Sequence, residues 1–68
     1  MSKLVTMLRS SAEADKAKAL LSLELLDKKA VGIGDHSTED FYKNAEEAAR
    51  ALAEADDVLD TLEIYFPE

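Results

Sequence analysis

One histidine and two carboxylates lie near the middle of the chain, and these residue types could bind a metal ion or transfer protons. His36 is followed by Glu39 and Asp40, a spacing that fits about one helical turn. Catalytic metal sites usually need more ligands than this one group offers. We favour a structural role, in which His36 and Phe41 form a hydrophobic staple and the two acids complement a helix dipole.

A second group of carboxylates lies near the end of the sequence. Its members are Asp56, Asp57, Asp60 and Glu63. Carboxylates on facing helices can hold two metal ions, but such centres also use Glu-x-x-His motifs. The sequence contains no such motif. We therefore interpret the group as a solvated helix face.

The remaining patterns that could carry chemistry are incomplete. Gly32-Ile33-Gly34 precedes a helix as a phosphate-binding loop does, but it lacks the following Lys-Ser/Thr pair and a preceding strand. The sequence has no cysteine, so the single histidine has no thiol to activate. The sequence therefore predicts no catalytic residue, no metal site and no cofactor, and we expect the chain not to be an enzyme.

Charge is distributed unevenly along the 68 residues, whose net charge is −7. Residues 1–34 carry six basic and four acidic side chains, whereas residues 35–68 carry two basic and eleven acidic ones. An anionic half of this kind repels phosphates and anionic lipids, so we expect neither direct nucleic-acid binding nor membrane binding. No targeting segment or bilayer-length apolar run is visible, and we expect a cytoplasmic protein.

Two long amphipathic helices account for most of the sequence. The predicted boundaries are a single domain 1–68, a helix at about 3–30, a loop at about 31–37 and a helix at about 38–66. Gly32 is suited to end the first helix in the left-handed conformation, Ser37 to cap the second, and Pro67 to end it. A short loop between helices of matched length makes them antiparallel neighbours. The predicted fold class is all-α, an antiparallel two-helix hairpin.

The apolar stripes of the two helices define the predicted core. In the second helix, apolar residues recur at steps of four and three from Phe41 to Phe66, as in a coiled coil. The stripe of the first helix is less regular and is interrupted at Asp15 and Lys16. The predicted hairpin core consists of Val5, Leu8, Leu23, Leu26, Phe41, Leu52, Leu59 and Phe66.

More apolar surface remains than two antiparallel helices can bury between them. The predicted interface residues are Leu4, Met7, Leu21, Leu25, Val58 and Tyr65. Large exposed apolar patches mark interfaces, and a two-fold dimer of hairpins would bury this one in a four-helix bundle. The sequence therefore predicts a homodimer. Two alternatives stay open, which are ordinary surface hydrophobicity and docking to a different protein.

Two smaller groups of residues bear on the same interface. Tyr42, Tyr65 and Phe66 are candidate anchors for a partner. Tyr65 and Phe66, which lie near the end of the sequence, are equally suited to cover the end of the bundle. Asp15 and Lys16 either meet opposite charges across an interface or are simply exposed.

Two segments carry a resemblance to a known group of proteins. They are the loop segment Ala30-Val31-Gly32-Ile33-Gly34-Asp35-His36-Ser37-Thr38-Glu39-Asp40-Phe41-Tyr42 and the ending Leu62-Glu63-Ile64-Tyr65-Phe66. Over most of its length the chain resembles small uncharacterised proteins of T4-like marine cyanophages. The resemblance implies a phage origin and expression in the cytoplasm of a bacterial host. It implies no activity and no functional residue.

Two functional hypotheses follow from the sequence. The leading one is a non-catalytic helical protein-interaction module that self-associates. A variant of this hypothesis adds docking to a host or phage protein. The alternative is an inhibitor that presents its acidic half to a basic host protein as a mimic of nucleic acid.

Overall fold

Two helices make up the part of the chain that the computed structural model describes, residues 2–30 and 38–67. α1 spans Lys3–Lys29 and α2 spans Thr38–Tyr65. These residues form no strand, and the two helices pack against each other, which confirms the predicted all-helical hairpin. Three residues with predicted roles in the loop lie outside the described residues: Gly32, His36 and Ser37.

α1 begins at a side-chain cap. Ser2 has an extended backbone with φ −76° and ψ 147°, and the Val5 amide donates to its Oγ at 3.1 Å. The Thr6 amide donates to the Ser2 carbonyl at 3.2 Å and closes the first turn. Lys28 and Lys29 lie in the last turn, where positive charge complements the helix dipole. Ser2 thus pairs an amide that the helix itself leaves without a partner.

α2 carries Glu39 and Asp40 in its first turn, where carboxylates complement the helix dipole as the sequence predicts. The helix ends at Tyr65, and the Phe66 amide makes the last helical hydrogen bond at 2.8 Å. Pro67 has no amide to donate and disfavours helical geometry at the residue before it. The helix therefore stops at this point.

Two ion pairs show how the helices run relative to each other. Arg9 Nη1 lies 3.7 Å from Glu63 Oε2, and Lys16 Nζ lies 3.0 Å from Asp56 Oδ1. A step of seven residues forward along α1 thus corresponds to seven residues back along α2. The helices are antiparallel and side by side, and they form a rod with extents of 50 × 14 × 14 Å.

Small side chains dominate the contact between α1 and α2. The five buried apolar residues of the described chain are Val5, Ala12, Ala19, Ala55 and Leu62. Alanine allows two helices to approach toward the short end of the usual interaxial range of about 8–10 Å. Five larger residues of the predicted core are half-buried beside this contact: Leu23, Leu26, Phe41, Leu52 and Leu59.

Two residues predicted for the core are exposed instead. Leu8 is 45% exposed and Phe66 is 56% exposed. Leu8 lies about 60° round α1 from Val5, so its side chain projects to the side of the hairpin, where α2 does not cover it. Phe66 follows the last residue of α2, so the helical spacing no longer directs its side chain toward α1.

We expect Ala19→Leu to destabilise the hairpin by about 1–3 kcal/mol, because a larger side chain would force the closely packed helices apart. Ala17→Leu is the matched control, since Ala17 is exposed on the same helix, and it should change stability by no more than about 0.5 kcal/mol. Urea unfolding followed by circular dichroism, at one fixed protein concentration, measures both. Equal effects at the two positions would contradict the alanine contact.

Candidate interaction surface

One flank of the hairpin carries the two ion pairs that join α1 to α2. Arg9 and Lys16 are seven residues apart, so both lie on the same side of α1. In addition to its contact with Glu63, Arg9 donates from Nη2 to the Phe66 carbonyl at 3.4 Å, and its side chain is only 18% exposed. Together with Asp56, these side chains bridge α1 and α2 along what we call the ion-pair flank.

A groove runs along the other flank of the interhelical contact. Its larger part has a volume of about 450 Å³, and the adjoining part has a volume of about 440 Å³. Both parts are lined by Ser22 and Ala48, so they form one continuous depression, which we call the groove. The residues of α1 that line it are Leu8, Ser11, Ala12, Asp15, Lys18, Ala19, Ser22, Leu25, Leu26 and Lys29.

Small residues give the groove its depth. Ala48 and Ala51 of α2 lie opposite the turn of α1 that contains Ser22, and Ser11 lines the groove further along α1. None of these side chains is long enough to close the gap. Larger apolar groups stand at the two ends, with Leu8 and Val58 in one part and Leu25 and Leu26 in the other. Charged groups occupy the middle of the groove: Asp15, Lys18 and Glu54.

All six residues predicted for an interface are exposed in the hairpin, from 37% for Val58 to 70% for Tyr65. Leu25 and Val58 line the groove. Tyr65 lies seven residues beyond Val58 and continues its stripe along α2, and Leu4 lies four residues before Leu8 on α1. The fold therefore brings four of the six residues to one side of the molecule.

Met7 and Leu21 lie on a different part of the surface. They are about 200° and about 160° round α1 from Val5, so they lie on the side of α1 turned away from α2. Leu20, Tyr42 and Ile64 are also exposed and are absent from the groove lining. Exposed apolar groups thus occur around the rod, and Leu8, Leu25 and Val58 are those that line the groove.

Sequence reasoning missed Leu8 and the small residues as parts of this surface. The sequence places Leu8 in the core, yet Leu8 lines the groove. The repeat of Ala51, Val58 and Tyr65 at intervals of seven was the signal for a second stripe on α2. No comparable signal identified Ser11 and Ser22, because serines are ordinary residues of a helix surface.

The charged residues show no arrangement typical of a metal centre. Within residues 2–30 and 38–67, no three His, Cys, Asp or Glu side chains are grouped as metal ligands. Lys16 pairs with Asp56 of its own hairpin, whereas its neighbour Asp15 lines the groove.

Among the described helices, none is long and apolar enough to cross a membrane.

Comparisons with known proteins add no relative. No protein-family model, no curated protein and no solved structure matches this chain. The geometry of the hairpin therefore carries the functional argument.

Proposed function

We propose that this chain is a non-catalytic interaction module that self-associates, two hairpins forming a four-helix bundle. The observation that supports it is the imbalance between covered and exposed apolar groups. No large side chain among the described residues is fully buried, whereas eleven large apolar side chains are exposed. A second hairpin is the simplest cover for such a surface.

Stability supports the same proposal. Below about 70–80 residues a single apolar core rarely supplies more than about 3–5 kcal/mol. Three of the five buried apolar residues here are alanines, which contribute little apolar area each. The chain has no cysteine, so no disulfide compensates for the thin core. Association would add the missing burial.

The groove is the part of the surface best suited to association. It combines apolar groups at both ends with serines, alanines and three charged groups between them, so another helix with complementary charges could lie in it. The ion-pair flank already joins its charged groups across the hairpin, and covering it would remove water from Arg9, Lys16 and their partners.

A cysteine-free chain of this kind suits the reducing cytoplasm, where we place the module.

We expect the protein to be a dimer at micromolar concentration and Leu25→Asp to make it monomeric, because a carboxylate in the covered groove would lose its hydration. Leu20→Asp is the matched control, since Leu20 is a leucine of the same helix that is exposed outside the groove. Size-exclusion chromatography with light scattering measures the mass of each. The melting temperature of the parent protein should also rise with protein concentration.

Two results would contradict this proposal. One is a folded, concentration-independent monomer for the parent protein. The other is equal dissociation by the two aspartate variants, which would mean that the groove has no special part in association.

A second candidate function is a mimic of nucleic acid, and the observation that favours it is the exposure of the acids of α2. All its acidic residues except Asp56 are exposed. A mimic should bind a basic nucleic-acid-binding protein and compete with DNA for it, and added salt should weaken the binding. Fluorescence anisotropy with labelled DNA tests this. Binding that survives high salt, or that leaves the DNA bound, would contradict mimicry.

A further inference from the structure

The groove side of α1 forms a second heptad seam. Its positions are Leu4, Leu8, Ser11, Asp15, Lys18, Ser22, Leu25 and Lys29. They follow one another at steps of four and three, and all except Leu4 line the groove. Leu4 is itself exposed. The spacing is therefore that of a coiled-coil contact face.

This seam has a simple relation to the face of α1 that packs against α2. Three of its positions come one residue before a buried residue of that inner face: Leu4 precedes Val5, Ser11 precedes Ala12 and Lys18 precedes Ala19. One residue corresponds to a rotation of about 100°. A helix in a four-helix bundle contacts two neighbours roughly at right angles. α1 thus has one seam for α2 and a second seam for another helix.

The second seam is chemically palindromic. When two copies of a helix pack antiparallel about a two-fold axis, residue i faces residue j of the other copy, and i and j have a constant sum. For a sum of 33, Leu8 faces Leu25 and Ser11 faces Ser22. Each contact occurs twice. Leucines meet leucines at both ends, and small hydroxyls meet between them.

The charges at the centre of the seam are complementary in the same arrangement. Asp15 faces Lys18 of the other copy, and Lys18 faces Asp15, so two ion pairs flank the axis. At the ends, the aliphatic stem of Lys29 can cover Leu4 while its ammonium group stays in water. Every facing pair of the seam is therefore compatible.

Other alignments of the same seam bring unlike groups together. Sliding one helix by a heptad in one direction places Leu8 against Lys18. Sliding it the other way places Leu25 against Asp15. A parallel alignment sets Asp15 against Asp15 and Lys18 against Lys18, which repel each other. The antiparallel alignment with a sum of 33 is the one that pairs all groups well.

We propose that the occupant of the groove is a second copy of this chain, whose α1 lies antiparallel to the first α1 about a two-fold axis between Asp15 and Lys18. This inference rests on the proposed self-association and specifies its geometry. In the register set by the ion pairs, Ala55 and Ala51 are the short groove residues of α2 nearest the axis, and they leave space for the second helix to approach closely. Glu54 adds a carboxylate on the same side of the groove, near Lys18. The four helices then enclose the leucines of the groove.

Charge exchange at the axis tests the ion pairs. The Asp15→Lys variant has lysine at both position 15 and position 18 of every copy, and the Lys18→Asp variant has aspartate at both. For each variant alone, the dissociation constant of the dimer should be roughly tenfold or more above that of the parent protein. A mixture of the two variants should dimerise as the parent does. Light scattering measures the mass, and circular dichroism checks that each variant stays helical. A mixture as weakly associated as its components would overturn the pairing.

Thiol cross-linking tests the alignment directly, because the parent chain has no cysteine. Ser11→Cys and Ser22→Cys are made as two separate proteins and treated with a short bis-maleimide. The mixture should give a covalent dimer on a denaturing gel. Each variant alone should give little, because its two thiols would lie roughly 16 Å apart along the helix axis. Ser10→Cys mixed with Ser22→Cys is the matched control, since Ser10 lies about 100° round α1 from Ser11.

The outcomes separate this inference from the function on which it rests. Cross-linking in the Ser11→Cys and Ser22→Cys mixture, and not in the control, supports the alignment. A dimer by light scattering with no such cross-link, or with strong cross-linking of Ser11→Cys alone, overturns the alignment and leaves self-association standing. A parent protein that is monomeric by light scattering overturns both.

Discussion

The contact between α1 and α2 is made largely by alanines, and much of the rest of the structure follows from this. Ala12, Ala19 and Ala55 are among the most deeply covered residues of the hairpin. Small side chains let two helices lie close together, but each buries little apolar area. Apart from Val5 and Leu62, which are buried, the larger apolar side chains of the described residues lie beside the contact or away from it. A closely packed hairpin is for this reason also a hairpin with exposed leucines.

The close approach has opposite consequences on the two flanks. On one, long charged side chains reach across, as Lys16 does to Asp56 at 3.0 Å. On the other, serines and alanines are too short to meet, and a groove remains. The hairpin therefore has one flank bridged by its own side chains and one that another helix could fill. This asymmetry makes the groove, and not the ion-pair flank, the side on which another helix would pack.

Charge has a separate part in the design of the molecule. Arg9 and Lys16 of α1 meet acids of α2 at the ion-pair flank, which favours the antiparallel pairing slightly, as expected for partly exposed ion pairs. The remaining acids of α2 are mostly exposed. A strong net charge opposes non-specific aggregation of a surface that carries apolar groups. Specific association through a limited groove is compatible with that repulsion.

Local features of the sequence determined the helices. Three features indicate where α2 begins and ends, because each acts within one or two turns. They are the heptad spacing from Phe41 to Leu62, the acids of the first turn and the proline after the last residue. The same spacing also identified apolar groups that one hairpin leaves exposed, such as Leu25 and Val58. The interaction surface was thus partly predictable from the sequence.

The tertiary structure alone decided how wide the covered side of each helix is. A helical repeat tells in which direction Leu8 points relative to Val5, but not how wide the contact with α2 is. That width depends on the separation and register of the two helices. Contacts between residues far apart in the sequence, such as Arg9 and Glu63, show this register. The sequence determined two amphipathic helices and their apolar stripes; packing decided that Leu8 lies in a groove and that Lys16 lies in an ion pair, because both depend on side chains far apart along the chain.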